Sequence, residues 1–188
     1  MGIHKYLQQL WESEDIKPII RNYMIRWRKE PVIVKLEKPT RLDRAHSLGY
    51  KAKNGFLIAR VRIGRGGRKR MKFKGGRRSK HMRRRKVLSM SYQWVAEGRV
   101  ARAFPNCEVL NSYYLAKDGI NYWFEVILVD PEIVKNYREF EWLSHKKNLG
   151  RVFHGKTSSG KRSRGLMNKG MGAEKLRPSL RAHSRMSK

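Results

Sequence analysis

The run Arg65-Gly66-Gly67-Arg68-Lys69-Arg70, continued by Lys72, Lys74, Arg77 and Arg78, has the residue types that hold phosphate. Arginine presents a planar fork of donors matched to phosphate oxygens, and glycine lets backbone N–H groups approach the same anion. The pairs Gly66-Gly67 and Gly75-Gly76 let the chain follow an irregular backbone that a helix cannot. Two readings compete: phosphate contact along folded RNA, or a solvated charged loop or nuclear-localisation stretch. From Arg60 to Lys86 there are 15 basic residues and no acidic one, which favours contact with a polyanion.

A second basic block runs from His145 to the C-terminus, with 13 basic residues against Glu174. Within it, GKTSSGKR at 155–162 is a near miss to the nucleotide-binding P-loop. Arg162 stands where a hydroxyl should meet Mg²⁺, and the segment does not join a strand to a helix. A better account is that Thr157, Ser158, Ser159, Lys161, Arg162, Ser163 and Arg164 offer donors to RNA phosphates. Aromatic residues interleave the basic segments: Tyr50, Phe56, Phe73 and Phe153. Phe56 lies on a strand and is expected in the core. Phe73 and Phe153 lack an evident core, so stacking on a base or entry into an RNA groove competes evenly with burial.

Catalysis has no residues to work with. The six histidines show no i, i+3 or i, i+4 pairing, and no cysteine stands near His145 or His154, so no metal ligand set is expected. Asp130 reads as a helix cap and Glu125 as a strand-face residue, leaving no acid–base pair and no nucleophile with a base. No enzyme, cofactor or small-molecule substrate is expected.

Lys and Arg outnumber Asp and Glu by 45 to 15 over 188 residues, a formal net charge of +30. The surplus is uneven, because 87–144 holds 5 basic and 8 acidic residues. An ordinary core with two cationic segments calls for counter-charge from a partner. The lone Cys107 excludes an internal disulfide and suits a reducing compartment. Apolar runs such as 126–129 are far shorter than a bilayer span, no signal-peptide run opens the chain, and Tyr6 replaces the hydroxyl residue of a myristoylation signal. A soluble intracellular protein without membrane contact is expected.

The elements that must position these residues follow from periodicity. Ile3, Leu7, Leu10 and Trp11 mark one amphipathic helix, and Ile16, Ile19, Ile20, Tyr23 and Trp27 a second. An extended VIVKLEK lies between Pro31 and Pro39. Thr40-Arg41-Leu42-Asp43 resembles a capping box that opens a short helix ending at Gly49. From Phe56 to Ile63 apolar residues alternate, placing Leu57, Ala59, Val61 and Ile63 on one face and aiming Arg60 and Arg62 away from the core. A helix over 89–104 and a hairpin of CEVLNSYYLA with NYWFEVILVD around Lys117-Asp118-Gly119 come next. Asp130-Pro131-Glu132 then starts a helix carrying Ile133, Tyr137 and Phe140.

The expected fold is α+β, a small antiparallel sheet with helices on one face, long basic extensions and an internal basic loop. Residues 1–49 form an N-terminal helical extension. Residues 50–144 form the body, interrupted by loop 64–86, and 145–188 a basic C-terminal extension without a fold of its own.

Six segments in order, MGIHKYLQQLW, LGYKAKNGF at 48–56, RVRIGRGGRKR at 60–70, EVLNSYYL at 108–115, FEVILVDP at 124–131 and TSSGKRSRGL at 157–166, resemble the archaeal–eukaryotic large-subunit ribosomal protein L-fifteen-e family. The resemblance implies a structural constituent of the large ribosomal subunit in the cytoplasm. Its partners would be 23S-type rRNA and neighbouring large-subunit ribosomal proteins. Tyr50, Lys51, Lys53, Arg60, Arg62, Arg65, Arg68, Lys69 and Arg70 fall on the family's basic signature, and Lys161, Arg162, Arg164 and Gly165 on its C-terminal one. Further rRNA contacts are expected from Arg41, Arg44, Lys72, Phe73, Lys74, Arg77, Arg78, Arg83, Arg84, Arg151, Phe153 and Lys156. The loop after Arg70 and the short tail beyond Leu166 imply an archaeal-type member.

The expected mechanism is counterion replacement, in which Lys and Arg displace condensed cations from phosphates. Glu125, Glu132, Glu139 and Glu141 would then face solvent or a protein neighbour. A DNA-compacting chromatin protein is the alternative. It explains the charge equally well but not the long Gly/Arg loop, since duplex DNA is regular.

Overall fold

The computed structural model describes residues 2–69, 75–76, 85–86 and 88–176. Its strands are β1 (Ile33–Leu36), β2 (Phe56–Gly64), β3 (Arg68–Lys69), β4 (Arg85–Lys86), β5 (Glu108–Lys117) and β6 (Asn121–Val129). Its helices are α1 (Ile3–Glu12), α2 (Ile16–Lys29), α3 (Leu42–Ser47), α4 (Tyr92–Ala103), α5 (Pro131–Val134) and α6 (Ser158–Ser163). A four-stranded antiparallel sheet has the order β1-β2-β6-β5, and β3 pairs with β4 in a separate ribbon. The α+β expectation holds.

Helices on one face do not describe it, because both faces of the sheet are covered. On the first, Phe56, Ile58, Trp123, Ile127 and Val129 pack with Trp27 of α2, Ala45 of α3 and Val134 of α5. On the second, Ala59, Val61, Val126 and Leu128 pack with Ala96 and Val100 of α4 and with Val152. The cause is apolar content at both parities of the central strands. With Phe56 and Ile58 on one side of β2 and Ala59, Val61 and Ile63 on the other, neither side tolerates water. Arg60 is therefore inside, at 8% exposure, instead of pointing away from the core.

The first 49 residues share this core. β1 is one of the two edge strands of the sheet, in register Ile33↔Val61 to Leu36↔Ile58, and Trp27 is buried among the sheet residues. The amphipathic stripes are only partly used, because Ile3, Leu10, Ile19 and Tyr23 remain exposed. Thr40 is not the cap of α3. Arg41 holds that position without a side-chain capping bond, and the Thr40 hydroxyl reaches Glu125.

Two other caps behave as their residue types dictate. Ser91 accepts from the Trp94 N–H at the start of α4, and Asp130 from the Glu132 N–H at the start of α5. The helix after Asp130 is a single turn. Phe140 reaches the core from a turn, and Ile133 is exposed. The hairpin has strands β5 and β6 joined over 118–120, with the Asp118 carboxylate accepting from the N–H groups of Ile120 and Asn121. The segment after Ser144 folds against the body, burying Val152, Thr157, Ser159 and Ala173.

Candidate nucleic-acid interface

Several residues expected at RNA are buried in the body of the protein. The Arg60 guanidinium lies 4.6 Å from the Trp27 ring centre and donates to the Glu30 carboxylate at 2.5 Å. It sits opposite Glu125 in the β2–β6 register. A long arginine can lay its stem along apolar surface and its cation on an aromatic face, so a charged residue on an inward position is not expelled. Tyr50 is buried, its ring edge-on to Phe56 at 6.2 Å. Glu125, expected to face solvent or a protein neighbour, is fully buried and accepts from the Thr40 N–H, the Thr40 hydroxyl and the Tyr113 hydroxyl. Burial is the main influence and raises its carboxyl above the ordinary range, while those donors and Arg60 pull it back. Burial and the Glu125 charge push the Tyr113 hydroxyl up in turn.

On the opposite face, Glu97 of α4 is fully buried and gathers three hydroxyls. Thr157 and Ser159 each donate to it at 2.6 Å, and Ser112 donates to its other oxygen. Burial raises the Glu97 carboxyl, against the pull of these hydroxyls and of Arg151. Thr157 and Ser159 are thus spent on a carboxylate and do not offer themselves to phosphate. Arg151, also expected at RNA, is 8% exposed and donates to the carbonyls of Val109 at 2.7 Å and Leu110 at 2.8 Å. Its guanidinium is 4.9 Å from the Trp142 ring centre, and burial lowers its pKa.

The glycines of GKTSSGKR have a packing reason. Gly155 has φ +62°, and a Cβ there would stand 2.7 Å from Arg164 Cδ. A Cβ on Gly160 would stand 2.7 Å from the Gly155 Cα. The two backbones meet where the chain turns into α6, whose cap Thr157 accepts from the Gly160 N–H at 3.2 Å. This is a turn closed on itself, not a phosphate cradle.

Other expected contacts lie at the surface with part of their capacity engaged. Lys51 pairs with Glu139, holding that exposed carboxyl below its ordinary value, and Lys53 lies 5.3 Å from the Tyr137 ring centre. Arg62 donates to the Arg28 carbonyl and Lys156 to that of Lys147. Arg164 donates to the carbonyls of His154 at 3.3 Å and Gly155 at 3.2 Å. Lys161 is exposed. Arg68 and Lys69 form β3, pairing with Lys86 and Arg85 and so closing the base of the basic loop. Arg70, Lys72, Phe73, Lys74, Arg77, Arg78, Arg83 and Arg84 lie outside the described residues.

Two concave regions collect the remaining cations. A polar cleft of about 650 Å³ between α1, α3, β5 and α6 is lined by Lys5, Arg41, Arg44 and Arg162, with Glu12 and Asp43 as the acids. Arg41 there covers the Trp11 ring at 4.7 Å and donates to Asp43 at 2.9 Å, while Arg44 and Arg162 are exposed. A second groove of about 740 Å³ beside α4 is lined by Arg65, Arg99 and Arg102, together with Phe153 and other apolar side chains. Arg65 donates to the Asp118 carbonyl at 2.8 Å, and Phe153 is 53% exposed. The sequence reading missed Arg99 and Arg102. Their i, i+3 spacing on one helical face was visible, but they sit in the segment with an acidic balance.

Among the described residues no three of His, Cys, Asp and Glu gather as metal ligands, and no helix is long and apolar enough to cross a membrane.

The family described as Ribosomal L15 matches residues 2–183. The large ribosomal subunit protein eL15 of Nanoarchaeum equitans (strain Kin4-M) is 48% identical over 187 residues, covering 97% of this chain and 98% of that protein. The match takes in the first basic block, all four strands of the sheet and all but the last five residues of the second block, and the six sequence segments fall within it or at its edge. The chain belongs to the ribosomal protein L15e family.

Proposed function

We propose that this chain is a structural, non-enzymatic component of the large ribosomal subunit in the cytoplasm, and that it draws rRNA helices together by neutralising their phosphates. The observation that carries this reading is the match over residues 2–183, which spans the first basic block and all but the last five residues of the second. Loop 64–86 and the segment from 145 onward are the RNA-directed parts, and the sheet with its two helical layers holds them. The cations assigned to rRNA are those with exposed charge, such as Arg44, Lys53, Arg65, Lys161 and Arg162, together with the basic residues of the loop. Arg60, Arg151 and Tyr50 serve the core. Exposed Ile19 and Tyr23, one turn apart on one face of α2, supply an apolar surface for a neighbouring ribosomal protein.

Each phosphate neutralised on irregular RNA contributes about −0.7 to the slope of log affinity against log salt, so a dozen contacts give roughly −8. The test is sedimentation of a native lysate through a gradient after a high-salt wash. Stoichiometric retention on large subunits is the expected result. Recovery on DNA or in a free pool would overturn the reading, as would duplex DNA binding more than tenfold tighter than folded rRNA at matched salt.

A further inference from the structure

The groove beside α4 differs from the rest of the basic surface in having an apolar interior. Leu88 is 39% exposed, Met90 40% and Phe153 53%, and all three line this one depression. Single exposed apolar side chains are ordinary, but a cluster around one concavity marks a binding site. Hydrogen bonds tie the walls of the depression together. Tyr92 donates its hydroxyl to the Gly66 carbonyl and accepts from the Gly66 N–H at 2.9 Å, while the Trp94 indole N–H donates to the Val152 carbonyl at 2.8 Å. Gly98 of α4 leaves the wall open, since a Cβ there would meet only Val152 Cγ1, at 4.0 Å.

Among the described residues, charge around the groove is of one sign: Arg65, Arg99 and Arg102 line it, and no Asp or Glu does. Arg102 lies over the Phe153 ring with its guanidinium 5.7 Å from the centre. An apolar peptide side chain would use the interior and leave Arg99 and Arg102 without acceptors, Arg65 already donating to the Asp118 carbonyl. A phosphodiester alone would use the arginines and leave the interior wet. A nucleotide uses both.

We propose that this groove receives one unpaired nucleotide of RNA, its base laid against Phe153, Leu88 and Met90 and its phosphates held by Arg65, Arg99 and Arg102. The inference rests on the RNA-binding reading above and adds a place where the protein recognises a single-stranded feature. Bases paired in an A-form helix are not accessible to such a groove, whereas a bulged base is.

The test uses the full chain and two RNA hairpins of equal length, one fully paired and one with a single bulged 2-aminopurine. The wild type should bind the bulged hairpin about tenfold more tightly, in line with base–aromatic stacking, and its fluorescence should change on binding. Phe153→Ala, at a surface position, should abolish the preference and leave affinity for the paired hairpin unchanged. Gly98→Leu, which fills the groove from α4, should do the same. Equal affinity of the wild type for both hairpins would overturn the proposal and leave the RNA reading standing. So would a preference that survives both substitutions. Absence of binding to either hairpin would remove the RNA reading and this proposal with it.

Discussion

Thr157 donates its hydroxyl to the Glu97 carboxylate across 60 positions of sequence, at 2.6 Å, with neither residue exposed. The same threonine caps α6. One side chain therefore fastens the C-terminal basic segment to the helix that covers the sheet. Thr157→Val keeps the shape and removes both bonds. It should lower unfolding free energy by about 2 kcal/mol in urea titrations. It should also bring forward tryptic cleavage after Lys161 and Arg162, and an unchanged digestion pattern would show that the segment is held by something else.

Glu97 predicts a pH dependence. Burial, its largest influence, raises the carboxyl above the ordinary value of 4.5, so the folded state holds the proton more tightly than the unfolded chain. Its stabilising contribution is full below the unfolded value and is lost as pH rises through the folded one. In thermal unfolding measured from pH 4 upward, the wild type should lose stability relative to Glu97→Gln as pH increases. A constant difference between the two proteins would mean that Glu97 does not titrate differently on folding.

Two glycines should respond in opposite directions to the same change. Gly160→Ala forces a Cβ to within 2.7 Å of the Gly155 Cα and should cost about 1–3 kcal/mol, since backbone cannot yield as a side chain does. Gly98→Ala adds a methyl in open space within α4 and should gain up to about 1 kcal/mol from helix propensity. Denaturant midpoints of the two variants decide it, and equal shifts would refute the packing account of GKTSSGKR.

Arginines inside and outside should separate by assay. Arg60→Ala removes the guanidinium from the Trp27 ring and leaves Glu30 unpaired, so its loss should appear in melting temperature. Arg44→Ala with Arg162→Ala should leave stability within about 0.5 kcal/mol. The pair should instead make the salt slope of rRNA binding shallower by about 1.4, at about 0.7 for each contact. A double variant with an unaltered slope would remove these two residues from the RNA surface.

Much of the scaffold was legible. The hairpin of β5 and β6, the strand β2, the helix α4 and the Asp130 cap each follow from local pattern, because alternation and capping are read from residues close in sequence. What was not legible depends on pairs far apart. Arg60 and Arg62 look alike on an alternating strand, and only the arrival of Trp27 and Glu30 makes one of them interior. Thr157 and Ser159 look like phosphate donors until Glu97 is seen beneath them. Apolar residues at both parities of WFEVILV, broken only by Glu125, were the available sign that both sheet faces are covered, and a one-sided alternation in β2 hid it. Buried carboxylates escaped for the same reason, since a glutamate announces its environment only through its neighbours.

The β3–β4 ribbon joins the chain on either side of the basic loop, Arg68 opposite Lys86 and Lys69 opposite Arg85. Closing a loop costs entropy that grows only slowly with its length, roughly 0.6 kcal/mol for each doubling, and here the ends meet whatever lies between them. On the proposed RNA reading, residues added or removed between the two rungs should leave the four-stranded sheet undisturbed and change only the length of chain offered to RNA.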